Sequence, residues 1–288
     1  MKIFPLIILV FAFTQACNSQ NTTKKELPID LVACKADSIL LQEKMVEFAT
    51  DNHLPTGELV FKIGKSFLGS PYVSHTLETG KDEKLVVNLR ELDCTTFDET
   101  CLALALTIKA GKTDFGSYAG QLEQVRYRNG IRNGYLSRLH YFSDWLYNNS
   151  EKGLVSPLDK SFQSSFNKNI NFMSTHPASY PVLKSNPELV AQIAKQEKTI
   201  SSREFYFLPK ENLKVNEKQL QDGDFVGITT SIAGLDIAHV GLVIWVDGRV
   251  HLLHASSALE KVVISDQPLA DYLAAKKSFT GIMIARPQ

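Results

Sequence analysis

The segment from Asp236 to Ser256 constrains this chain more than any other. Two apolar runs, Ala238–Val246 and Val250–Ala255, are joined through Asp247-Gly248. Asp-Gly between apolar runs is a strong hairpin signal, and the type I′ turn it favours fixes the strand register. Val246 then pairs with Arg249, His254 with Gly241, and His251 with Ile244. Paired residues share a face, and faces alternate along each strand. His239 and His254 therefore fall on one face as diagonal neighbours, roughly 7 Å apart or somewhat less at Cβ. Gly241 leaves room between them, and His251 falls on the opposite face. A single bulged residue inside the hairpin would reverse this choice.

Helical spacing dominates the chain before this hairpin. Ala36–Asn52 places Leu40, Leu41, Met45 and Phe48 on one face. Further helices are expected over Thr56–Phe67, Cys94–Ala110, Ser117–Arg128 and Ser137–Tyr147. A strand is expected over Lys84–Leu89, and others over Phe205–Leu208, Phe225–Thr229 and Gly281–Ala285. Ser156–Pro181 is rich in Ser, Asn and Pro and reads as irregular. Helices first and strands later imply an α+β fold. No repeat or linker divides residues 36–288, which read as one domain. Hydrophobic residues make up 44% and charged residues 22%, an ordinary globular balance. The 31 basic residues are matched by 31 acidic ones, which argues against a nucleic-acid binder. Four cysteines in 288 residues are too few for a disulfide-built scaffold.

Cys94 is the chemically suggestive cysteine. Asp93 is suited to cap the Cys94–Ala110 helix by accepting its first free N–H groups. A thiol in the first helical turn meets the positive end of the helix dipole, which favours the thiolate. The same N–H groups are placed to hold an oxyanion. Cys94 also starts the apolar stripe of Phe97, Cys101, Leu104 and Ile108, so it faces other protein. The bland reading is a buried, inert Cys. A nucleophilic Cys needs a base and a third group that orients the base. Cys94, His239 and His254 supply those three roles. A zinc site built from the same residues is the competing reading. Cys101 lies roughly 10.5 Å further along the helix, too far for a disulfide to Cys94, and reads as core. Cys34 reads as a spare thiol.

The N-terminus carries a different message. Met1-Lys2 precedes an apolar run, Ile3–Phe13, short of the about 20 residues a membrane-spanning helix needs. It fits an export signal over residues 1–16. Thr14-Gln15-Ala16-Cys17 resembles a bacterial lipobox, with Thr14 where Leu is usual. Cys17 is then the acylated residue, and residues 17–35 carry the anchor and a polar tether. A plain signal peptide with an incidental Cys17 is the alternative. Either reading sends the chain out of the cytoplasm, and the lipobox reading puts it on the periplasmic face of a membrane.

Several separated motifs resemble the NlpC-type cysteine hydrolases of bacterial peptidoglycan. They are Asp93-Cys94 at a helix start, His239-Val240-Gly241, His254-Ala255-Ser256, Gly223-Asp224-Phe225-Val226, and the turn Ser70-Pro71-Tyr72. The superfamily has Ser-Gly after the Cys, whereas Thr95-Thr96 stand here. That departure, with Asn88–Cys94 and Ser137–Phe142, is similar to the N-acetylmuramoyl-L-alanine amidase-like branch. The resemblance implies a papain-like fold, with Cys94 as nucleophile, His239 as base and then acid, and His254 orienting His239. It places Tyr72 beside the thiol as an oxyanion donor, with a packed turn tyrosine as the bland alternative. It implies hydrolysis of the amide between N-acetylmuramic acid and L-Ala of the stem peptide, in cell-wall turnover or recycling, without metal or cofactor. Arg90, Arg138, His140 and His176 are possible substrate contacts, although each residue type is more often structural. The alternatives are a peptidase cutting between D-Glu and diaminopimelate, and a non-catalytic lipoprotein that binds cell wall.

Overall fold

The computed structural model describes residues 31–80 and 82–288. The export signal, Cys17 and the tether up to residue 30 lie outside the described residues.

Among the described residues, ten strands follow in chain order: β1 (Leu31–Val32), β2 (Leu85–Val86), β3 (Val155–Pro157), β4 (Ser164–Ser165), β5 (Tyr206–Pro209), β6 (Phe225–Thr230), β7 (Ile237–Val246), β8 (Arg249–Ser256), β9 (Lys261–Ile264) and β10 (Phe279–Pro287). β1 and β2 form a short parallel pair, so Leu31 and Val32, assigned by the sequence to the tether, are tied to the fold. The other eight strands build an antiparallel sheet ordered β4-β5-β10-β6-β7-β8-β9, with β3 on β10. Helices α1 (Lys35–Glu47), α2 (Thr56–Ser66), α3 (Cys94–Lys109), α4 (Phe115–Arg126) and α5 (Phe142–Glu151) precede most of that sheet. The architecture is therefore mixed, helices with an antiparallel sheet. Among the described residues, no helix is long and apolar enough to cross a membrane.

Both faces of the sheet are covered. Val240, Leu242, Ile244, Leu253 and Ala255 pack with Phe97 and Leu104 of α3. Val243, Val250 and Leu252 point the other way, onto Leu213, Leu269 and Leu273 of two short helices. Burial on both sides is why β7 is apolar at almost every position. α3 lies across β7 and β8, which carries its first residue toward the hairpin.

Two expectations are corrected. The helix expected from Ser137 begins only at Phe142. Before it, Leu139 donates its N–H to Arg126 O at 3.0 Å, and Arg138 bridges to Tyr127. Those backbone groups are used across the fold and cannot start a helix. The stretch Ser156–Pro181 is also less irregular than its composition implies, because it contributes β4 and part of β3 to the sheet and a short helix, Phe172–Thr175. A long helix over Pro187–Ser201 follows, capped by the Asn186 side chain, which accepts Leu189 N–H at 3.0 Å.

Candidate active site

The hairpin has the register its turn dictates. Asp247 and Gly248 have φ of 48° and 77°, as a type I′ turn requires, and Val246 pairs with Arg249. The pairing Leu242–Leu253 then places Gly241 opposite His254. A Cβ on Gly241 would meet His254 Cβ at 2.8 Å, so glycine is needed for the close approach. The irregularity near Ala238 lies between β6 and β7, and leaves the β7–β8 register intact. His239 Nε2 and His254 Nδ1 are 2.6 Å apart, with the rings nearly perpendicular at 89°. This bond leaves His239 Nδ1 available. His251 points elsewhere, its Nδ1 2.7 Å from Ser265 O.

Cys94 is the first residue of α3. Asp93 accepts Thr96 N–H at 2.7 Å, and Thr96 Oγ1 accepts Asp93 N–H at 2.9 Å, a reciprocal cap that fixes where the helix starts. The Val240 backbone N–H is near enough to the Cys94 thiol to favour its ionised form, which brings the helix start beside the residue after His239. Tyr72 bridges to Leu92, and its N–H donates to Glu260 O at 2.9 Å. Its phenol is held near Cys94 and Asp93. Burial first, then the charges of those two groups, push it up to about 12.

The protonation states differ from the expectation of a stabilised thiolate. Burial, and then the Asp93 carboxylate, push the Cys94 thiol up to about 12. They outweigh the Val240 N–H and a Thr95 hydrogen bond, although Cys94 as a whole is only half-buried. Burial, His254 and Lys276 push His239 down to about 3. Burial and Lys276 push His254 down to about 4. At neutral pH the group is therefore a thiol and two neutral imidazoles, and any proton transfer must occur during reaction. Lys276 and Tyr272 were not legible as site neighbours in the sequence. Tyr272 comes within 6.3 Å of the His254 ring, and Lys276 Nζ lies 5.6 Å from the Tyr272 ring. No motif marks either residue, since only the return of the chain into β10 brings them there.

The remaining expected site residues scatter. Arg138 is buried and paired with Glu78 at 2.7 Å and Glu83 at 3.5 Å, so its charge is balanced within the protein. Arg90 is more open, with Nε 3.0 Å from Asp37. His176 is exposed and stacks on Phe172. His140 Nε2 lies 2.9 Å from Tyr135 O, and burial pushes its ring down to about 3. His140 also lines a cavity of about 450 Å³, open mouth included, that begins at Thr95 and Val240. Cys101 is fully buried in the core. Cys34 is exposed and caps α1 through its N–H and thiol to Asp37. Among the described residues, no three His, Cys, Asp or Glu side chains cluster as a metal-binding group.

The model of the AmiA-like, N-acetylmuramoyl-L-alanine amidase-like family matches residues 62–282. The chain belongs to that family. Among solved structures, it is similar to an N-acetylmuramoyl-L-alanine amidase from Bacteroides uniformis, at 38% identity over 81% of this chain and 99% of that one, with a TM-score of 0.78. A Bacteroides fragilis structure assigned provisionally as a xylanase is 41% identical over 77% of this chain and 98% of that one, with a TM-score of 0.74. A Legionella pneumophila protein shares the fold at 21% identity, covering 87% of this chain and 96% of that one, with a TM-score of 0.63. No curated protein matches the chain. The AmiA-like match spans the helix start that carries Cys94, the Tyr72 turn and the whole β7–β8 hairpin.

Proposed function

We propose that this AmiA-like chain is a cysteine-dependent N-acetylmuramoyl-L-alanine amidase with the papain-like arrangement of the NlpC-type hydrolases. It cleaves the amide between the lactyl group of N-acetylmuramic acid and L-Ala of the stem peptide. The observation that carries this reading is the 2.6 Å His239–His254 bond on strands that pack against α3, the helix that begins at Cys94. His239 Nδ1 takes the thiol proton as Sγ attacks the lactyl carbonyl. Nε2–H of His239 donates to His254 Nδ1, which fixes the tautomer and the ring. The oxyanion meets N–H groups at the start of α3 and the Tyr72 hydroxyl, which keeps its proton at neutral pH. His239 returns the proton to the departing L-Ala amine, and water then hydrolyses the thioester. Arg90 is the more exposed of the two arginines and is assigned to a stem-peptide carboxylate. The substrate lies outside the cytoplasm, where Cys17 acylation would hold the enzyme at a membrane. Recovery of a Cys17→Ser variant in the soluble fraction instead of the membrane fraction tests that anchor.

Digestion of defined muropeptides, followed by mass spectrometry, tests the reaction. Release of intact stem peptide with a free L-Ala amine is expected, and Cys94→Ala abolishes it without loss of fold. Release of a peptide that begins at diaminopimelate, with L-Ala-D-Glu left on N-acetylmuramic acid, would instead identify a D-Glu–diaminopimelate endopeptidase. Wild-type turnover by Cys94→Ala would end the thiol mechanism.

A further inference from the structure

The cavity at Thr95 has an unusual lining. Both carboxyl oxygens of Asp98 and the indole Nε1 of Trp145 are buried with no hydrogen-bond partner among the described residues, and both residues line this cavity. Asp98 and Trp145 are each 3% exposed. Native proteins satisfy nearly all buried polar atoms, so two such groups around one cavity call for an external partner. Phe142, Ile237 and Val240 supply apolar wall between them. Thr95, beside the nucleophile, is exposed at the mouth. Asp98 follows Cys94 by four residues on α3, so their Cβ atoms lie about 5–6 Å apart on one helix face. The cavity does not include the thiol itself, but Thr95 and Val240, the neighbours of Cys94 and His239, line it, and Asp98 sits one helical turn along α3.

Resting on the amidase reading, we propose that this cavity receives the 2-acetamido group of the muramoyl substrate. That group sits on the ring carbon next to the one bearing the lactyl ether, so it stays close to the scissile carbonyl. Burial, with Glu99 and Asp93 nearby, holds the Asp98 carboxyl well above the usual carboxylate range. Protonated, it offers one O–H donor and one carbonyl acceptor. A trans acetamide carries its N–H and C=O on opposite sides and so meets two groups: its N–H donates to the Asp98 carbonyl, and its oxygen accepts from Trp145 Nε1–H. The acetyl methyl packs on Phe142, Ile237 and Val240. A purely apolar group would leave all these polar atoms unpaired, and an ammonium would require an ionised Asp98.

The test compares kcat/KM for N-acetylmuramoyl-L-Ala-D-Glu and for its 2-deoxy counterpart, which lacks the acetamido group. Wild type is expected to prefer the first by about 100-fold, since a site with buried polar groups rejects an analogue that cannot pair them. Asp98→Asn keeps a donor and an acceptor and retains most of the preference. Asp98→Leu drops the preference below about tenfold while unfolding at no lower temperature, because it removes an unpartnered buried carboxyl. If Asp98→Leu fails to fold, Trp145→Phe carries the test, with a partial loss of preference expected. Equal rates on both substrates in wild type, or full preference in Asp98→Leu or Trp145→Phe, overturn the subsite and leave the amidase reading intact. Hydrolysis of neither substrate removes the amidase reading and the subsite with it.

Discussion

Cys94, His239 and His254 are held neutral, and one residue that no motif marks contributes to this. The Lys276 charge depresses both imidazoles. A base must be unprotonated to accept the thiol proton, so activity falls only as pH drops through the imidazole pKa. For wild type, kcat/KM should stay level as pH is lowered through 6.5 and fall only near pH 4. Lys276→Gln removes a positive charge, raises both imidazole pKa values and moves the acid limb to higher pH. Lys276 is exposed, so salt should shrink the difference between the two profiles. An acid limb at the same pH in both proteins would show that Lys276 has no such effect. The histidines themselves were legible, because Asp247-Gly248 dictates a register and the register dictates a face. Lys276 was not, because its place depends on a loop between a short helix and β10 rather than on any local pattern. Arg138 misled for the opposite reason. Its sequence neighbours suggested a substrate contact, while its partners Glu78 and Glu83 lie more than 50 residues upstream.

At the scale of elements, α3 gives Asp93 two opposed effects. Its side chain caps the helix and so places Cys94, and its charge pushes the thiol upward. The two effects can be separated. Asp93→Asn keeps an acceptor for Thr96 N–H, so the helix start survives, but the negative charge is gone. The Cys94 pKa should then fall, seen as a lower pH midpoint for alkylation by iodoacetamide. Asp93→Ala loses the cap as well and should cost about 1 kcal/mol of stability. An unchanged alkylation midpoint in Asp93→Asn would mean that burial alone sets the thiol. This cap was readable because Asp before a periodic apolar stripe has a local cause. The helix over Pro187–Ser201 carried an equally local signal, Asn186 with Pro187 and Glu188 in its first turn. The Ser- and Pro-rich stretch just before it masks that signal. The Ser137–Tyr147 helix was misplaced because non-local backbone bonds from Arg126 and Tyr127 claim its first residues.

At the scale of the molecule, the helical layer is fastened by a buried charge pair close to the site. Arg126 Nε lies 2.6 Å from Glu99 Oε2, both side chains are 2% exposed, and Arg126 also donates to Val86 O at 2.7 Å. One arginine thus joins α4, α3 and β2. Glu99 follows Asp98 and lines the same cavity, so the pair also sets the charge beside the proposed subsite. Removing one partner leaves the other charge buried alone, which costs about 3–5 kcal/mol, whereas replacing both with apolar side chains is often neutral. Arg126→Met should therefore lower Tm by about 10 °C, at roughly 2–4 °C per kcal/mol for a chain of this size. Arg126→Met with Glu99→Leu should recover most of that loss. If the double variant unfolds as early as the single one, the hydrogen bond to Val86 O, not the charge pair, is what holds the layer. Recovery of Tm with unchanged turnover would separate this pair from the chemistry at Cys94. Recovery of Tm with lost turnover would mean that the Glu99 charge contributes to the site as well as to the fold.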